Sequence, residues 1–382
     1  MNDVLTYIEW RGDLSFSQSG FNEVDNLIFS LLSYFDFKDI LPKPGEGELT
    51  LERASQLYFQ GGDVPSRPSE ASNSGKTLQW MLYAMANCRR YRKLKLASAV
   101  DVFNKEKVTQ FYAICIHINR NRAYLSFRGT ADDLAGWKED FLLACIPEIP
   151  SQREALNYLE QIAALYPEKT FMLGGHSKGG NLAVYAAANA PEELQKRIVA
   201  VWSNDGPGFQ NETLLSEGYQ RIAHAVHHIV PKSSVVGMLL AHDEHYKIVD
   251  SSQVGLLQHD GFSWTVSGNH FNELEELTTQ SVKADRAISK WLQGLSLEER
   301  RQFVDCLFDV LYASGATTLS EVRRDKLKAL TASLPRVKEI PKDNRERIIE
   351  FLGVREVREN RIMKHNRDPV HDLGRGYCYL LI

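Results

Sequence analysis

The chain is short of cysteine, lacks any long apolar run and carries no surplus of one charge, and each shortage removes a class of protein. Five cysteines (Cys88, Cys115, Cys145, Cys306 and Cys378) are scattered over 382 residues, odd in number and mostly within apolar stretches. That spacing builds no disulfide framework, and it reads as reduced, buried thiols in a cytoplasmic protein. No uninterrupted apolar stretch reaches the roughly 20 residues that cross a bilayer. Met1-Asn2-Asp3-Val4 opens without a basic segment or a long apolar core, so no signal peptide is expected. Lys and Arg number 45 against 49 Asp and Glu, a net charge of −4, which leaves no overall nucleic-acid footprint. No internal repeat is found.

What is present, 43% hydrophobic and 25% charged residues, suffices for one large α/β domain with helical additions or for two modest domains. Residues 21–35 carry a helical pattern: Asn22 as cap, Asp25 in the first turn, and Val24, Leu27, Ile28, Leu31, Leu32 and Phe35 along one face. Shorter helices are expected over Glu52–Phe59 and Leu78–Tyr91, with a Gly-, Pro- and Ser-rich loop from Gly61 to Gly75 between them. From Leu94 the period changes. Ala97–Phe103, Val108–Ile118 and Arg122–Phe127 read as strands, and further strands at 170–174, Ile198–Ser203, Ala223–Val230 and Tyr246–Val249 alternate with helices. Such alternation implies a mainly parallel sheet with its ligand site at the carboxyl ends of the strands. Beyond about residue 271 the pattern is helical, with Ser296/Glu299 and Thr318/Glu321 as capping boxes and Gly315 at a helix end. The Arg-rich residues 353–368 read as a solvated tail. Three segments follow: an N-terminal helical segment, 1–93, packed on a core at 94–270, and a helical extension with a basic tail at 271–382.

The most informative stretch is Gly174-Gly175-His176-Ser177-Lys178-Gly179-Gly180-Asn181, preceded by apolar Phe171-Met172-Leu173 and followed by an Ala-rich helical run. Strand, G-x-S-x-G turn and helix together describe a nucleophile elbow. The serine sits in a strained turn, and the glycines two before and two after it keep side chains out of a crowded space. A serine hydroxyl needs a base, the base an orienting acid, and the oxyanion its donors. With the chain order Ser, acid, His, the base is sought after Ser177, and His259 in a loop past the last good strand is the candidate; His270 is a later alternative. For the acid, Asp205 is chosen at the end of a strand, before Gly206-Pro207, with Asp243 and Asp260 as the other candidates. The oxyanion donors are expected at Lys178 and at Thr130, whose hydroxyl could add a bond. His224, His227, His228, His242 and His245 match no closed zinc spacing, and neither metal nor cofactor is expected. His176 is expected to pack within the elbow.

The Phe127-Arg128-Gly129-Thr130 run, Trp137 to Asp140 and the elbow together resemble the class 3 lipase group of α/β-hydrolases. The closer similarity is to the bacterial lipase-like family called Mbeg-like, carried by Phe21-Asn22-Glu23-Val24-Asp25, Gly136-Trp137-Lys138-Glu139-Asp140, Asn204-Asp205-Gly206-Pro207-Gly208-Phe209, Ser234-Val235-Val236-Gly237 and Gln258-His259-Asp260. It runs over roughly residues 1–320. The resemblance implies an α/β-hydrolase fold, Ser177 as nucleophile, His259 as base and Thr130 as the oxyanion residue. Lys178 and Asn181 replace the Leu and Ala usual in class 3 lipases, and His228-Ile229-Val230-Pro231 stands where their acid-bearing Asp-Ile-Val-Pro run lies. That substitution favours Asp205 from the preceding strand end. The implied activity is hydrolysis of an ester or thioester of a small-molecule, lipid-like acyl substrate; the other reading is a non-catalytic binding or regulatory protein on the same fold.

Overall fold

The computed structural model describes residues 2–60, 62–68, 75–242, 245–318 and 321. Asp243, Cys378, the tail at 353–368 and part of the 61–75 loop lie outside them. In chain order the elements are α1 (Val4–Arg11), α2 (Glu23–Leu32), β1 (Glu48–Thr50), α3 (Leu51–Tyr58), α4 (Gly75–Asn87), β2 (Lys95–Asn104), β3 (Thr109–His117) and β4 (Arg122–Phe127). Next come α5 (Leu134–Leu142), α6 (Pro150–Leu165), β5 (Thr170–His176), α7 (Lys178–Asn189), α8 (Glu192–Gln195), β6 (Ile198–Asn204), α9 (Asn211–Leu214) and α10 (Glu217–Ile222). The chain continues through β7 (Val226–Pro231), β8 (Tyr246–Val249), β9 (Val266–Ser267), β10 (His270–Phe271), β11 (Glu273–Leu274), α11 (Thr279–Gln293) and α12 (Leu297–Ala313).

Two compact units emerge. One holds residues 1–129 and 150–278, the other 130–149 with the chain from 279 onward. Residues 1–93 fall with the sheet, and residues 130–149, expected within the core segment, group with the chain from 279 onward.

The first unit contains a nine-stranded sheet in the order β1-β2-β3-β4-β5-β6-β7-β8-β11. Strands β4 to β8 are parallel neighbours. Strands β1 to β4 pair antiparallel, as do β8 and β11. The connections explain the change of direction. Only short turns join β2 to β3 and β3 to β4, which suits hairpins, whereas parallel neighbours need a longer crossover, supplied by helices between β4 and β7 and by a loop with one 3-10 turn between β7 and β8. The parallel expectation therefore describes the centre of the sheet, and the margins are antiparallel. The strand expected from Ala223 starts at Val226, because Ala223–Ala225 forms a 3-10 turn after α10.

α2 is no surface helix. Its whole run from Val24 to Leu32 is buried, and Asn22 and Asp25 close its start as a full capping box. It packs on β5 and carries polar side chains inward, and each finds a partner. The Asn26 amide donates to Asn204 Oδ1 at 2.8 Å and accepts from the Tyr124 hydroxyl at 2.7 Å. Asn204 Nδ2 donates to Ser30 Oγ at 3.1 Å and to the Gly175 carbonyl at 3.0 Å. Asp25 is fully buried against Arg90, at 2.8 Å from Nε, and accepts from the Tyr91 hydroxyl at 2.7 Å. Glu23 accepts from Lys247 Nζ at 2.9 Å and from the Phe271 N–H at 2.7 Å.

In the second unit, Phe141 of α5 meets Phe308 of α12 with ring centroids 5.6 Å apart, and Lys138 pairs with Asp305 at 2.7 Å. Ser296 and Glu299 form the expected capping box, and Gly315 takes φ 78° just after the Ser314 cap. Thr318 and Glu321 exchange the hydrogen bonds of the second box.

Burial without partners is costly, about 1–3 kcal/mol for each polar group left unpaired. Asn26→Ala strips partners from both Tyr124 and Asn204, so urea unfolding is expected to register a loss of at least that size. An unchanged midpoint would contradict this account of the network.

Candidate active site

β5 ends at His176 and α7 starts at Lys178, leaving Ser177 between them with φ 57° and ψ −133°. A non-glycine residue persists there only when its surroundings fix it. The Ser177 N–H donates to the Asn204 carbonyl at 2.9 Å, tying the turn to the end of β6. A Cβ on Gly175 would lie 2.3 Å from the Gly179 carbonyl carbon, and one on Gly179 would lie 2.1 Å from the Phe127 oxygen. The spacing of the motif is therefore a packing requirement of the elbow.

One residue past β6, Asp205 is also strained, at φ 50°, and is wholly buried. Its Oδ2 lies 2.6 Å from His259 Nδ1. Its Oδ1 accepts from the Ser234 hydroxyl at 2.5 Å and from the Gly237 N–H at 3.1 Å. A Cβ on Gly237 would stand 2.2 Å from that oxygen, so only glycine can approach it there. The turn itself is clamped from α7. Asn181 Nδ2 donates to the Pro207 and Gly208 carbonyls at 3.1 and 2.9 Å, and Gln152 Nε2 donates to Asn181 Oδ1 at 2.8 Å.

His259 closes a 3-10 segment, Gly255–His259, and its side chain is 28% exposed. A carboxylate only accepts, so Nδ1 carries the proton and the neutral ring keeps its lone pair on Nε2. The His259 carbonyl accepts from His176 Nε2 at 2.6 Å, and the two rings lie 4.6 Å apart. This contact puts the segment beside the residue preceding Ser177. Among the described residues the Ser177 hydroxyl makes no hydrogen bond to His259.

Of the acids weighed from the sequence, Asp205 is the one bonded to His259; Asp260 instead accepts from the Phe262 N–H at 3.0 Å. His270 is exposed and lies beside Asn269. His228, which the resemblance places where class 3 lipases carry their acid, lies against His242 with centroids 4.3 Å apart and planes tilted by 38°. Burial pushes the His228 imidazole down to about 4 and that of His242 well below its ordinary value. No group of three or more metal-ligating side chains occurs among the described residues. Lys178 turns its side chain inward, with Nζ donating to the Gln110 carbonyl at 3.2 Å. The Thr130 hydroxyl donates to Asp140 within the second unit.

Sequence reasoning did not assign roles to Ser234, Gly237, Asn181 or Tyr34. The first two stood in a motif quoted only for resemblance, and Asn181 was noted only as a departure.

The family model described as Mbeg1-like matches residues 85–309. No curated protein matches the chain. Among solved structures, the native Rhizomucor miehei lipase propeptide complex is similar at 16% identity and TM-score 0.32, over 45% of this chain and 59% of that one. The M37 lipase matches at 16% identity and TM-score 0.33, over 44% and 64%. The Yarrowia lipolytica Lip2 lipase matches at 12% identity and TM-score 0.32, over 68% and 96%. The chain thus spans less than two thirds of the length of the first of these structures.

The buried imidazoles make stability depend on acidity. In the unfolded chain they take up protons near 6.5, but His228 in the fold only near 4. The unfolded state therefore binds more protons between these values, and stability present above pH 6.5 is lost as the pH falls towards 4. Urea midpoints are expected to fall across that window, and less steeply in His228→Gln. A midpoint that rises on acidification would contradict the neutral, buried state of these rings.

Proposed function

The chain belongs to the Mbeg1-like family, a lipase-related one, and from that premise we propose that it is a lipase- or esterase-like serine hydrolase acting through an acyl-enzyme on Ser177. The observation that carries the reading is the bond of 2.6 Å between His259 Nδ1 and the buried Asp205 carboxylate, beside a serine in elbow geometry. In this reading Ser177 Oγ attacks the acyl carbonyl while His259 Nε2 takes the hydroxyl proton. Asp205 holds the ring in the needed tautomer and stabilises the imidazolium. The bond between Ser177 and His259 forms as substrate seats, since catalytic hydrogen bonds often tighten only then. His259 next passes its proton to the departing alcohol or thiol, and a water, activated by the same ring, releases the acid and restores Ser177.

The main-chain N–H of Lys178, first residue of α7, is the proposed oxyanion donor. Helix N-terminal N–H groups favour negative charge, and losing one such donor typically costs about 3 kcal/mol in the transition state. The acyl substrate class draws support from the segment that carries the base. Val254 and Leu257 on it are 75% and 63% exposed, an apolar approach suited to a lipid-like chain. No helix of the described residues is long and apolar enough to cross a membrane.

A fluorophosphonate probe is expected to label the wild type and not Ser177→Ala. Asp205→Asn, which spoils the tautomer, should slow labelling by about three to four orders of magnitude, and Asp260→Asn should leave it near the wild-type rate. Equal losses in the two variants would remove the support for Asp205 as the acid. A folded wild type that takes no label would favour the non-catalytic reading. With p-nitrophenyl esters, Leu257→Ser is expected to lower kcat/KM for long acyl chains more than for acetate; a uniform change would detach Leu257 from substrate binding.

A further inference from the structure

We propose that His176 is a positioning residue for His259, and that the Tyr34 hydroxyl fixes the tautomer in which it does so. The inference rests on the reading of His259 as the base. His176 Nε2 lies 2.6 Å from the His259 carbonyl oxygen, and His176 Nδ1 lies 3.1 Å from the Tyr34 hydroxyl. A carbonyl only accepts, so Nε2 carries the proton. Burial pushes the His176 imidazole down to about 3, which keeps the ring neutral. Nδ1 then holds a lone pair, and the Tyr34 hydroxyl is the donor to it. The chain of donors runs in one direction, from Tyr34 through His176 to the main chain of His259.

Position and charge both matter here. The ring of His176 lies against that of His259, with centroids 4.6 Å apart and planes tilted by 38°. A second cation at that distance would oppose the imidazolium that His259 becomes during acylation. A neutral imidazole provides the bond to the carbonyl without the repulsion, which a lysine or arginine could not. The segment ending in His259 is a single 3-10 stretch, so anchoring its last carbonyl restricts where the ring can sit. Misplacing a catalytic group by about 1 Å can cost a factor of about 100 in rate.

A third residue shows that the space is reserved for this contact. A Cβ on Gly129 would lie 2.2 Å from the Tyr34 hydroxyl and 2.7 Å from the His176 carbonyl. The glycine of the Arg128-Gly129-Thr130 run thus makes room for Tyr34 to reach the elbow. Tyr34 follows the Ser33 cap of α2, with its N–H bonded to the Leu31 carbonyl at 3.1 Å, so the N-terminal helix reaches the base through two side chains.

The test is the rate of fluorophosphonate labelling, read across pH, in wild type, His176→Phe, His176→Gln and Tyr34→Phe, with urea midpoints to establish folding. His176→Phe keeps a ring but has no donor, and is expected to label about tenfold more slowly or worse. The acid limb of its pH–rate profile should move to lower pH, since looser contact with Asp205 holds the imidazolium less firmly. His176→Gln can still donate to the carbonyl and should recover part of the rate. Tyr34→Phe should fall between wild type and His176→Phe, and it carries the test alone if His176→Phe does not fold. Wild-type rates and an unchanged profile in the folded variants would overturn the inference while leaving the hydrolase reading standing. A folded wild type that takes no label would overturn both.

Discussion

A buried carboxylate has to be met by donors on every side, and Asp205 sets that constraint for this protein. It has no exposed surface and stands in a strained backbone conformation just past β6. Ser234 and Gly237 hold one oxygen, and the His259 imidazole holds the other. An unpaired charge in such a place costs several kcal/mol. The Ser234–Gly237 loop, the 3-10 segment of His259 and the Asn181 clamp on the following turn are thus bound to one carboxylate. The same arrangement gives Asn181 its place: its amide satisfies two carbonyls of the turn that presents Asp205.

The second organising feature is α2. A helix buried along its whole run would usually be apolar throughout, yet this one carries Asn26 and Ser30 inward. They bond to Asn204, Tyr124 and, through Asn204, to the Gly175 carbonyl of the elbow strand. The residue before Asp205 and the strand before Ser177 therefore share one polar network with the N-terminal segment. Such networks confer one geometry because a shifted register would leave several buried groups unpaired. The N-terminal helix belongs with the machinery it covers, and Tyr34 continues that connection as far as His259.

The sequence was most legible where the constraint is local. The elbow declared itself because its glycines, serine and flanking periods lie within about a dozen residues, and Asp205 because a strand end followed by Gly206-Pro207 is itself a local signal. Contacts such as Asn26 with Asn204, or Tyr34 with His176, join residues 178 and 142 positions apart, and no periodicity marks them. The edge strands β1, of three residues, and β11, of two, are too short to show an alternating pattern. The grouping of residues 130–149 with the C-terminal helices also escaped, since the Phe141–Phe308 and Lys138–Asp305 contacts are set only by the tertiary fold. The bond from the Thr130 hydroxyl to Asp140 within the second unit was likewise not legible in the sequence.

The central claim is that Ser177, activated by the pair of Asp205 and His259, carries the acyl group. Its most direct measurement is the covalent intermediate itself: mix the protein with an activated acyl ester, quench in acid, and map the modified peptide by mass spectrometry. The account requires one acyl adduct on Ser177 in the wild type, absent in Ser177→Ala and strongly diminished in His259→Ala. A folded wild type with no adduct, or an adduct on another residue, would contradict it.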